Sequence, residues 1–568
     1  MDLDVFLNTS YGVIGRTAST KREPNTSGQF HFWLAKLGAS DSTAAQVGDS
    51  SKGEIAPIEI GNIVAARSDK DNDITFGLVT EMRAYSDIDS FIADYLSHNF
   101  GDATIEVPTD ISEVVVVTCS VMRNVSLKTK PVGRSRVYFP SRLGIQYAYG
   151  IVDENGESIF SGAIPIGIFE NGDGTIAPVS VDEDFLVGPE GAHLNVSGIS
   201  GLAAKTSAIE FVIKSLLTHS RKRIAVVMFN VKSKDLLYID QPNTKLEEDD
   251  WSKNVYAELR IPLEAFANAR FFAPADPSNR PHGSQSLRVL ETEIFEWDLS
   301  MIYRDIPSLF NSMDWDDRME GVWFVIREEI ENERLLTYNQ MLSWVSRQIN
   351  QANDARPPRQ WIRGNHIATW NKMRSHLQRF PRSYRGLIAT GGEGRDIPWQ
   401  ELNSGSVYVI DMQMLNDRGQ RLVFGRAVST ISRKLESGEL DLDAVIVFVD
   451  ELNKFAPSGN VRTPLKSRLI DITARGRSLG LILFGAEQFA SSVDKEIVEN
   501  SSTYLFGRTE TNELRTPNYA AFSDEIKAKL TMLSQGRLLV KFAKFPQPIF
   551  VRFPYPPCLP GDMFNAAT

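Results

Sequence analysis

Leu194-Asn195-Val196-Ser197-Gly198-Ile199-Ser200-Gly201-Leu202-Ala203-Ala204-Lys205-Thr206-Ser207 is the stretch on which the fold turns. Leu194–Val196 reads as a short strand, and helical periodicity starts at Lys205 and runs to about His219. A glycine-containing loop between a strand and a helix that opens on Lys-Thr suits a polyphosphate. Backbone N–H groups line the oxygens, the helix N-terminus adds its positive dipole, and the lysine neutralises the outer phosphates. On this reading Gly198, Ser200, Gly201, Leu202, Ala203, Ala204, Lys205, Thr206 and Ser207 hold a nucleotide, and the Thr206 hydroxyl helps to hold Mg²⁺. The usual pattern has glycine directly before the lysine. Here Ala204 takes that place, and the loop from Gly198 is one residue longer. Alanine lets the backbone approach closely but does not reach positive φ at glycine's low cost. A glycine turn ahead of an ordinary helix fits the same residues.

Further along, Ala444-Val-Ile-Val-Phe-Val449-Asp450-Glu451 is an apolar run of strand length that ends in two carboxylates. An Asp at the end of a buried parallel strand orders a metal shell in phosphoryl-transfer sites, and an adjacent Glu can polarise the attacking water. Asp is also a favoured helix cap, so Asp450 alone decides nothing. The upstream phosphate-loop candidate and the strand–helix alternation between the two segments tie them to one site. Ile472-Thr-Ala-Arg475-Gly-Arg477-Ser-Leu-Gly480-Leu-Ile-Leu-Phe-Gly485-Ala-Glu-Gln488 follows, a basic helix end before a strand tipped by Gln. An Arg supplied across a subunit interface stabilises charge on a transferring phosphoryl group, and a Gln can orient water. Arg475 and Arg477 equally suit the negative end of a helix dipole.

Around these segments the chain changes character twice. Residues 1–185 read as mostly β, with strand candidates Glu54–Ala66, Ile74–Met82, Glu113–Val121, Arg136–Phe139 and Ile159–Ile168 between turn-rich clusters, and one helical patch near Ser86–Ser97. Short strands so spaced predict a small barrel or sandwich. Residues 186–244 and 396–557 alternate strands with helices, the pattern of an α/β parallel sheet. Its strand candidates are Arg223–Val231, Ser406–Ile410, Ala444–Val449, Leu479–Gly485 and Thr503–Phe506, with helices at Leu422–Glu436 and Pro464–Arg475. Over 245–395 the alternation stops, and helical periodicity at Trp323–Leu335, Tyr338–Gln351 and Ile367–Arg379 predicts a largely helical insertion. Two strand-like runs, Arg537–Phe542 and Pro548–Phe553, lead to a tail at 558–568.

A length of 568 residues exceeds what one hydrophobic core serves, which predicts two or three domains. No stretch approaches the ~18 apolar residues of a membrane span, and the opening Met-Asp-Leu-Asp-Val is acidic where a signal peptide is basic. Cys119 and Cys558 form neither a zinc nor a redox spacing. A cytoplasmic protein without membrane contact is the expectation. The net charge of −11 argues against a surface that coats nucleic acid throughout, but not against a local basic channel.

Taken together, these residues resemble the HerA family, within the HerA/FtsK branch of P-loop ATPases. The resemblance lies in Val447-Phe-Val-Asp-Glu-Leu-Asn-Lys-Phe-Ala-Pro457, Arg475-Gly-Arg-Ser-Leu-Gly480, Phe506-Gly-Arg-Thr509, Phe229-Asn-Val-Lys-Ser-Lys-Asp-Leu-Leu237 and Pro548-Ile-Phe-Val-Arg-Phe-Pro554. It covers about 1–240 and 400–557. It implies a RecA-like P-loop core with an N-terminal HAS-barrel-like domain. It also implies ATP and Mg²⁺ as ligands: Lys205 and Thr206 on the phosphates and metal, Asp450 on the metal shell, Glu451 as catalytic base, Arg477 as a finger acting in trans, and Gln488 as sensor. The family forms homo-hexameric rings that thread duplex DNA, and a finger in trans needs a head-to-tail interface of the kind that closes into a ring. Its members work with a partner, a NurA-type nuclease in DNA end processing or, in antiviral defence, another nuclease or a sirtuin-like NADase.

Between Ala355 and Gly392 there is no acidic residue, while Arg356, Arg359, Arg363, Lys372, Arg374, Arg379, Arg382 and Arg385 alternate with Trp361, Trp370, Phe380 and Tyr384. Such a segment can track phosphates and stack bases. A solvated helical face or a dock for an acidic partner fits it as well. Three functions stay open at this point: an ATP-driven DNA translocase or helicase, an ATP-binding oligomeric scaffold that assembles and regulates an effector enzyme, and, less well supported, a small-molecule kinase.

Overall fold

A computed structural model describes residues 3–35, 56–86, 90–97, 99–100, 113–202, 204–278, 283–310, 314–459 and 463–561. Internal contacts divide the chain into two units. The first comprises Met1–Glu183, Gly198–Ala204 and Thr503–Pro554, the second Asp184–Ser197, Lys205–Ser502 and Tyr555–Thr568.

In chain order the first unit supplies strands β1 (Val13–Ala18), β2 (Gln29–Leu34), β3 (Ile63–Ser68), β4 (Ile74–Ser86), β5 (Glu113–Asn124), β6 (Ser135–Tyr138), β7 (Ala163–Glu170) and β8 (Ile176–Asp182). The second supplies β9 (Leu194–Ser197), β10 (Ile224–Asn230), β11 (Ala269–Pro274), β12 (Glu293–Phe295), β13 (Trp361–Ile362), β14 (Asn365–His366), β15 (Val407–Asp411), β16 (Ala444–Asp450) and β17 (Leu481–Glu487). The chain then returns to the first unit with β18 (Thr503–Phe506), β19 (Arg537–Phe542) and β20 (Ile549–Arg552).

In the first unit β1, β2, β5, β4, β3 and β6 form a closed barrel, with β6 pairing antiparallel to both β1 and β3. The expected small barrel is therefore present. Its interior collects Ile14, Phe30, Phe32, Val64, Val79, Val117 and Val137. Closure brings backbones close: a Cβ on Gly15 would lie 2.2 Å from the Trp33 carbonyl oxygen, so only glycine fits there. Strands β1 and β2 went unread in the sequence because Arg16, Thr17, Gln29 and His31 dilute their apolar content. Only one face of each needs to be apolar, as the inward Phe30 and Phe32 show. The strand expected at Glu54–Ala66 is β3 at Ile63–Ser68, and residues 54 and 55 lie outside the described ones. The helical patch narrows to Phe91–Ser97, because Ser86 still belongs to β4. The same unit carries an antiparallel set in the order β18-β19-β20-β7-β8.

The second unit carries strands in the order β12-β11-β15-β10-β16-β17-β9, each neighbour parallel to the next. β16 and β17 are buried along their whole length, which explains their unbroken apolar sequence. Helices Lys205–His219, Asp417–Glu436 and Pro464–Leu479 are interspersed with these strands. One expectation needs correction. The strand pattern does not stop at 245, because β11 and β12 extend the parallel sheet beyond β15. The three residues of β12 are too short a run to carry a strand signal.

The helical part begins after these strands. Helices Asp317–Glu331, Tyr338–Asp354 and Ile367–Ser383 pack on one another. The second opens on a capping box between Thr337 and Gln340 and buries Tyr338, Met341, Val345, Ile349 and Ala352, the three-and-four spacing of one helical face. The third buries Trp370, Met373, Leu377 and Phe380 in the same rhythm. Trp370 and Phe380, read as base-stacking candidates, are thus core residues here, as is Tyr384. Trp361 remains exposed.

Candidate nucleotide and metal site

Parallel strands aim their carboxyl ends at one edge, and ligands of open α/β sheets bind there. In the second unit that edge is polar where the strand interiors are largely apolar. β9 ends on Ser197, β17 on Glu487, β16 on Asp450, β10 on Asn230 and β15 on Asp411, all buried. Register fixes their order: Ser197 faces Glu487 across β9 and β17, and Ala486 faces Asp450 across β17 and β16.

Lys205 opens the helix that follows β9 and is 6% exposed. Burial pulls its pKa below the ordinary lysine value, while the charges of Asp450, Glu451 and Glu487 oppose that pull. The structure therefore brings Lys205, Asp450 and Glu451 into one electrostatic neighbourhood. Thr206 and Ser207 are half-buried in the first turn of the same helix.

The loop before it turns at Gly198 (φ 150°), Gly201 (φ 78°) and Ala204 (φ 48°). The first two positions explain the glycines. The third places alanine in the left-handed region, where a Cβ costs roughly 1–2 kcal/mol. Gly198 is buried, whereas Ser200, Gly201 and Leu202 are exposed. Ala203 lies outside the described residues.

The acid pair has a defined geometry. Glu451 also adopts left-handed backbone, φ 59°, directly after the strand. Its N–H donates to Asp450 Oδ1 at 2.9 Å. Lys232, two residues beyond β10, places Nζ 3.2 Å from Asp450 Oδ2 and donates to Glu451 Oε1. Burial pulls the Lys232 pKa down, but the Asp450 charge and the Glu451 hydrogen bond outweigh it and hold the ammonium above its usual range. Neither Lys232 nor Glu487 was singled out from the sequence, although both adjoin segments that were: Lys232 lies in Phe229–Leu237 and Glu487 precedes Gln488.

Glu487 is fully buried, and neither carboxyl oxygen has a hydrogen-bond partner. Burial pushes its pKa well up, with the Lys205 charge opposing; the Asn195 amide also favours the ionised form, though without full hydrogen-bond geometry. Gln488, the predicted sensor, is half-buried just past the strand end. Arg477 lies on the helix Pro464–Leu479, and its side chain is outside the described ones. Arg475 pairs with Asp471 one turn earlier on that helix. Lys466, 2% exposed, pairs with Asp494 at 2.7 Å and donates to the Pro457 and Gly459 carbonyls, which anchors the segment after the acid pair.

The donor set fits a hard divalent cation held mainly by phosphates. Mg²⁺ commonly takes one or two carboxylates together with substrate oxygens and water. Asp450 offers such an oxygen, and the Lys232 ammonium beside it shows that the place accepts positive charge. Among the described residues no group of three or more His, Cys, Asp or Glu forms a metal cage by itself. Among them, too, no helix is long and apolar enough to cross a membrane.

No protein-family model matches the chain, and no curated protein matches it. Among solved structures it is similar to VirB4 of Thermoanaerobacter pseudethanolicus, with 14% identity and a TM-score of 0.44 over 71% of this chain and 97% of that one. It is also similar to the bacterial conjugative coupling protein TrwB in a truncated form, with 13% identity and a TM-score of 0.43 over 70% of this chain and 91% of that one. A smaller likeness is to the genome packaging NTPase B204 from Sulfolobus turreted icosahedral virus 2, solved with ATP-gammaS, at 20% identity and a TM-score of 0.21 over 26% of this chain and 68% of that one. With every one of these TM-scores below 0.5, the functional reading rests on the residues of the site itself.

Proposed function

We propose that this chain is an Mg²⁺-dependent ATPase with a RecA-like core, working as a homo-hexameric DNA translocase or helicase. The observation that carries the reading is the convergence of Lys205, Asp450 and Glu451 at the carboxyl edge of a parallel sheet. Backbone N–H groups of 198–204 and the Lys205 ammonium bind the β and γ phosphates. Thr206 and Asp450 hold the metal, whose chemistry, when bound, is to neutralise charge on those phosphate oxygens. Glu451 orients a water and takes its proton as the water oxygen bonds to the γ-phosphorus and the bond to the bridging oxygen breaks. Gln488 helps position that water, and Arg477 supplies charge from a neighbouring subunit.

Duplex DNA as the track is supported by the acid-free stretch 355–392, where Arg356, Arg359, Arg379, Arg382 and Arg385 are exposed. A partner nuclease or NADase, with a role in antiviral defence or DNA end processing, completes the reading on the strength of the family resemblance. Binding of a fluorescent ATP analogue, compared between the native chain and Lys205→Ala, tests it first. Affinity should fall at least roughly ten-fold in the variant; equal affinity sinks the phosphate-loop assignment.

One observation favours a second reading. Ala204 at φ 48° puts strain directly before the phosphate-binding lysine, which suits a chain that holds ATP to assemble an effector enzyme and turns it over slowly. Saturable nucleotide binding with negligible turnover, with and without DNA, would select it.

A further inference from the structure

The segment Phe229–Leu237 carries a cation that the reading above leaves without a task. Lys232 leaves β10 through a turn clamped on both sides. Asn230 Nδ2 donates to the Ser233 carbonyl at 3.1 Å and to Asp411 Oδ1 at 2.9 Å, and Ser233 sits at φ 55°. The backbone that presents Lys232 is therefore fixed, and the freedom left lies in its four-carbon stem.

That stem delivers the ammonium to the two acids where they need to be available. Asp450 Oδ1 is occupied by the Glu451 N–H, so Oδ2, 3.2 Å from Lys232 Nζ, is its outward oxygen. Glu451 Oε1 accepts from the same ammonium. Both acid side chains are largely buried, 11% and 14% exposed, whereas that of Lys232 is 35% exposed and has room to swing outward. Two buried carboxylates side by side repel, and one ammonium between them offsets that repulsion. A divalent cation brings twice the charge to the same oxygens.

We propose that Lys232 is a latch on the acid pair: a positioning residue whose ammonium holds Asp450 and Glu451 in the nucleotide-free chain and which a divalent cation displaces, freeing Glu451 to face water. The proposal rests on the ATPase reading for its purpose, but not for its geometry. It makes Lys232 and the metal competitors for one place, so turnover is held low until metal and nucleotide arrive together.

The test is an Mn²⁺ titration of the full-length, nucleotide-free protein followed by electron paramagnetic resonance, with Mn²⁺ standing for Mg²⁺. Lys232→Met should bind Mn²⁺ about five-fold or more tightly than the native chain, because a competing charge is gone. Adding Asp450→Asn should abolish the gain. Lys232→Gln, which keeps a donor but loses the charge, is carried alongside in case the Met variant folds poorly, and should show the same tightening. In steady-state hydrolysis the Met variant should reach half-maximal rate at lower Mg²⁺. Unchanged Mn²⁺ affinity in both variants overturns the latch, even if every protein hydrolyses ATP. Absence of turnover in all proteins, with the Mn²⁺ gain present, overturns the ATPase reading and leaves the competition standing.

Discussion

Asn230 Nδ2 donates to Asp411 Oδ1 at 2.9 Å, joining the carboxyl ends of two neighbouring parallel strands. Ser286 Oγ donates to the other oxygen at 2.7 Å. Burial raises the Asp411 pKa, and the bonds from Asn230 and Ser286 resist the rise. Asp411→Ala leaves the Asn230, Ser286 and Gln413 donors short of an acceptor and should cost about 2–4 kcal/mol in urea unfolding. Asp411→Asn keeps the shape and should stay within about 1 kcal/mol of the native chain. Equal losses in the two variants would show that the charge, not the network, matters here.

Glu487 gives stability a pH dependence of a definite sign. Its folded pKa lies well above the usual 4.5, so over the range between the two values the folded chain holds a proton that the unfolded chain has released. Stability from this group is complete below the ordinary glutamate value and is lost as pH rises through the folded one. Glu487→Gln removes the titration while keeping the volume. The melting temperature of the native chain relative to Glu487→Gln should fall as pH is raised from 5 to 9, as differential scanning fluorimetry would record. A constant difference would mean that the carboxyl is ionised in the fold.

Ala204 tests the strain before the phosphate-binding lysine. Glycine at φ 48° removes the Cβ clash but adds chain entropy to the unfolded state, for a net gain of roughly 0.5–1 kcal/mol. Ala204→Gly should therefore melt slightly higher and bind the ATP analogue at least as tightly. A loss of stability would place the strain elsewhere.

The helical part makes a contrasting pair. Trp370 is fully buried and its Nε1 donates to the Ile362 carbonyl at 3.2 Å, whereas Trp361 is 62% exposed. Trp370→Ala should cost about 3–5 kcal/mol, and Trp361→Ala less than about 1 kcal/mol. If Trp370→Ala weakened DNA binding without lowering stability, the burial described here would be mistaken.

The sequence was most legible where burial is two-sided. β16 and β17 read directly as apolar runs, and the helix Lys205–His219 begins at the residue expected. Strands with one wet face, β1 and β2, escaped notice, as did β11 and the three-residue edge strand β12. The site was half legible. Asp450 and Glu451 stand out because carboxylates at the end of a buried run have little structural reason to be there. Lys232 and Glu487 acquire meaning only through register, which places the ends of β10, β16 and β17 together. The aromatic and basic stretch misled in one respect: three of its four aromatic residues repeat at helical spacing because they form a core.

The most direct measurement is steady-state ATP hydrolysis by the purified chain with Mg²⁺, with and without duplex DNA, using Glu451→Gln as the blank. The account predicts hydrolysis that rises with DNA and falls at least roughly a hundred-fold in the variant, the loss expected when a positioned general base is removed. Turnover that is unchanged in Glu451→Gln would contradict it, because the acid pair at the end of β16 would then have no part in the chemistry.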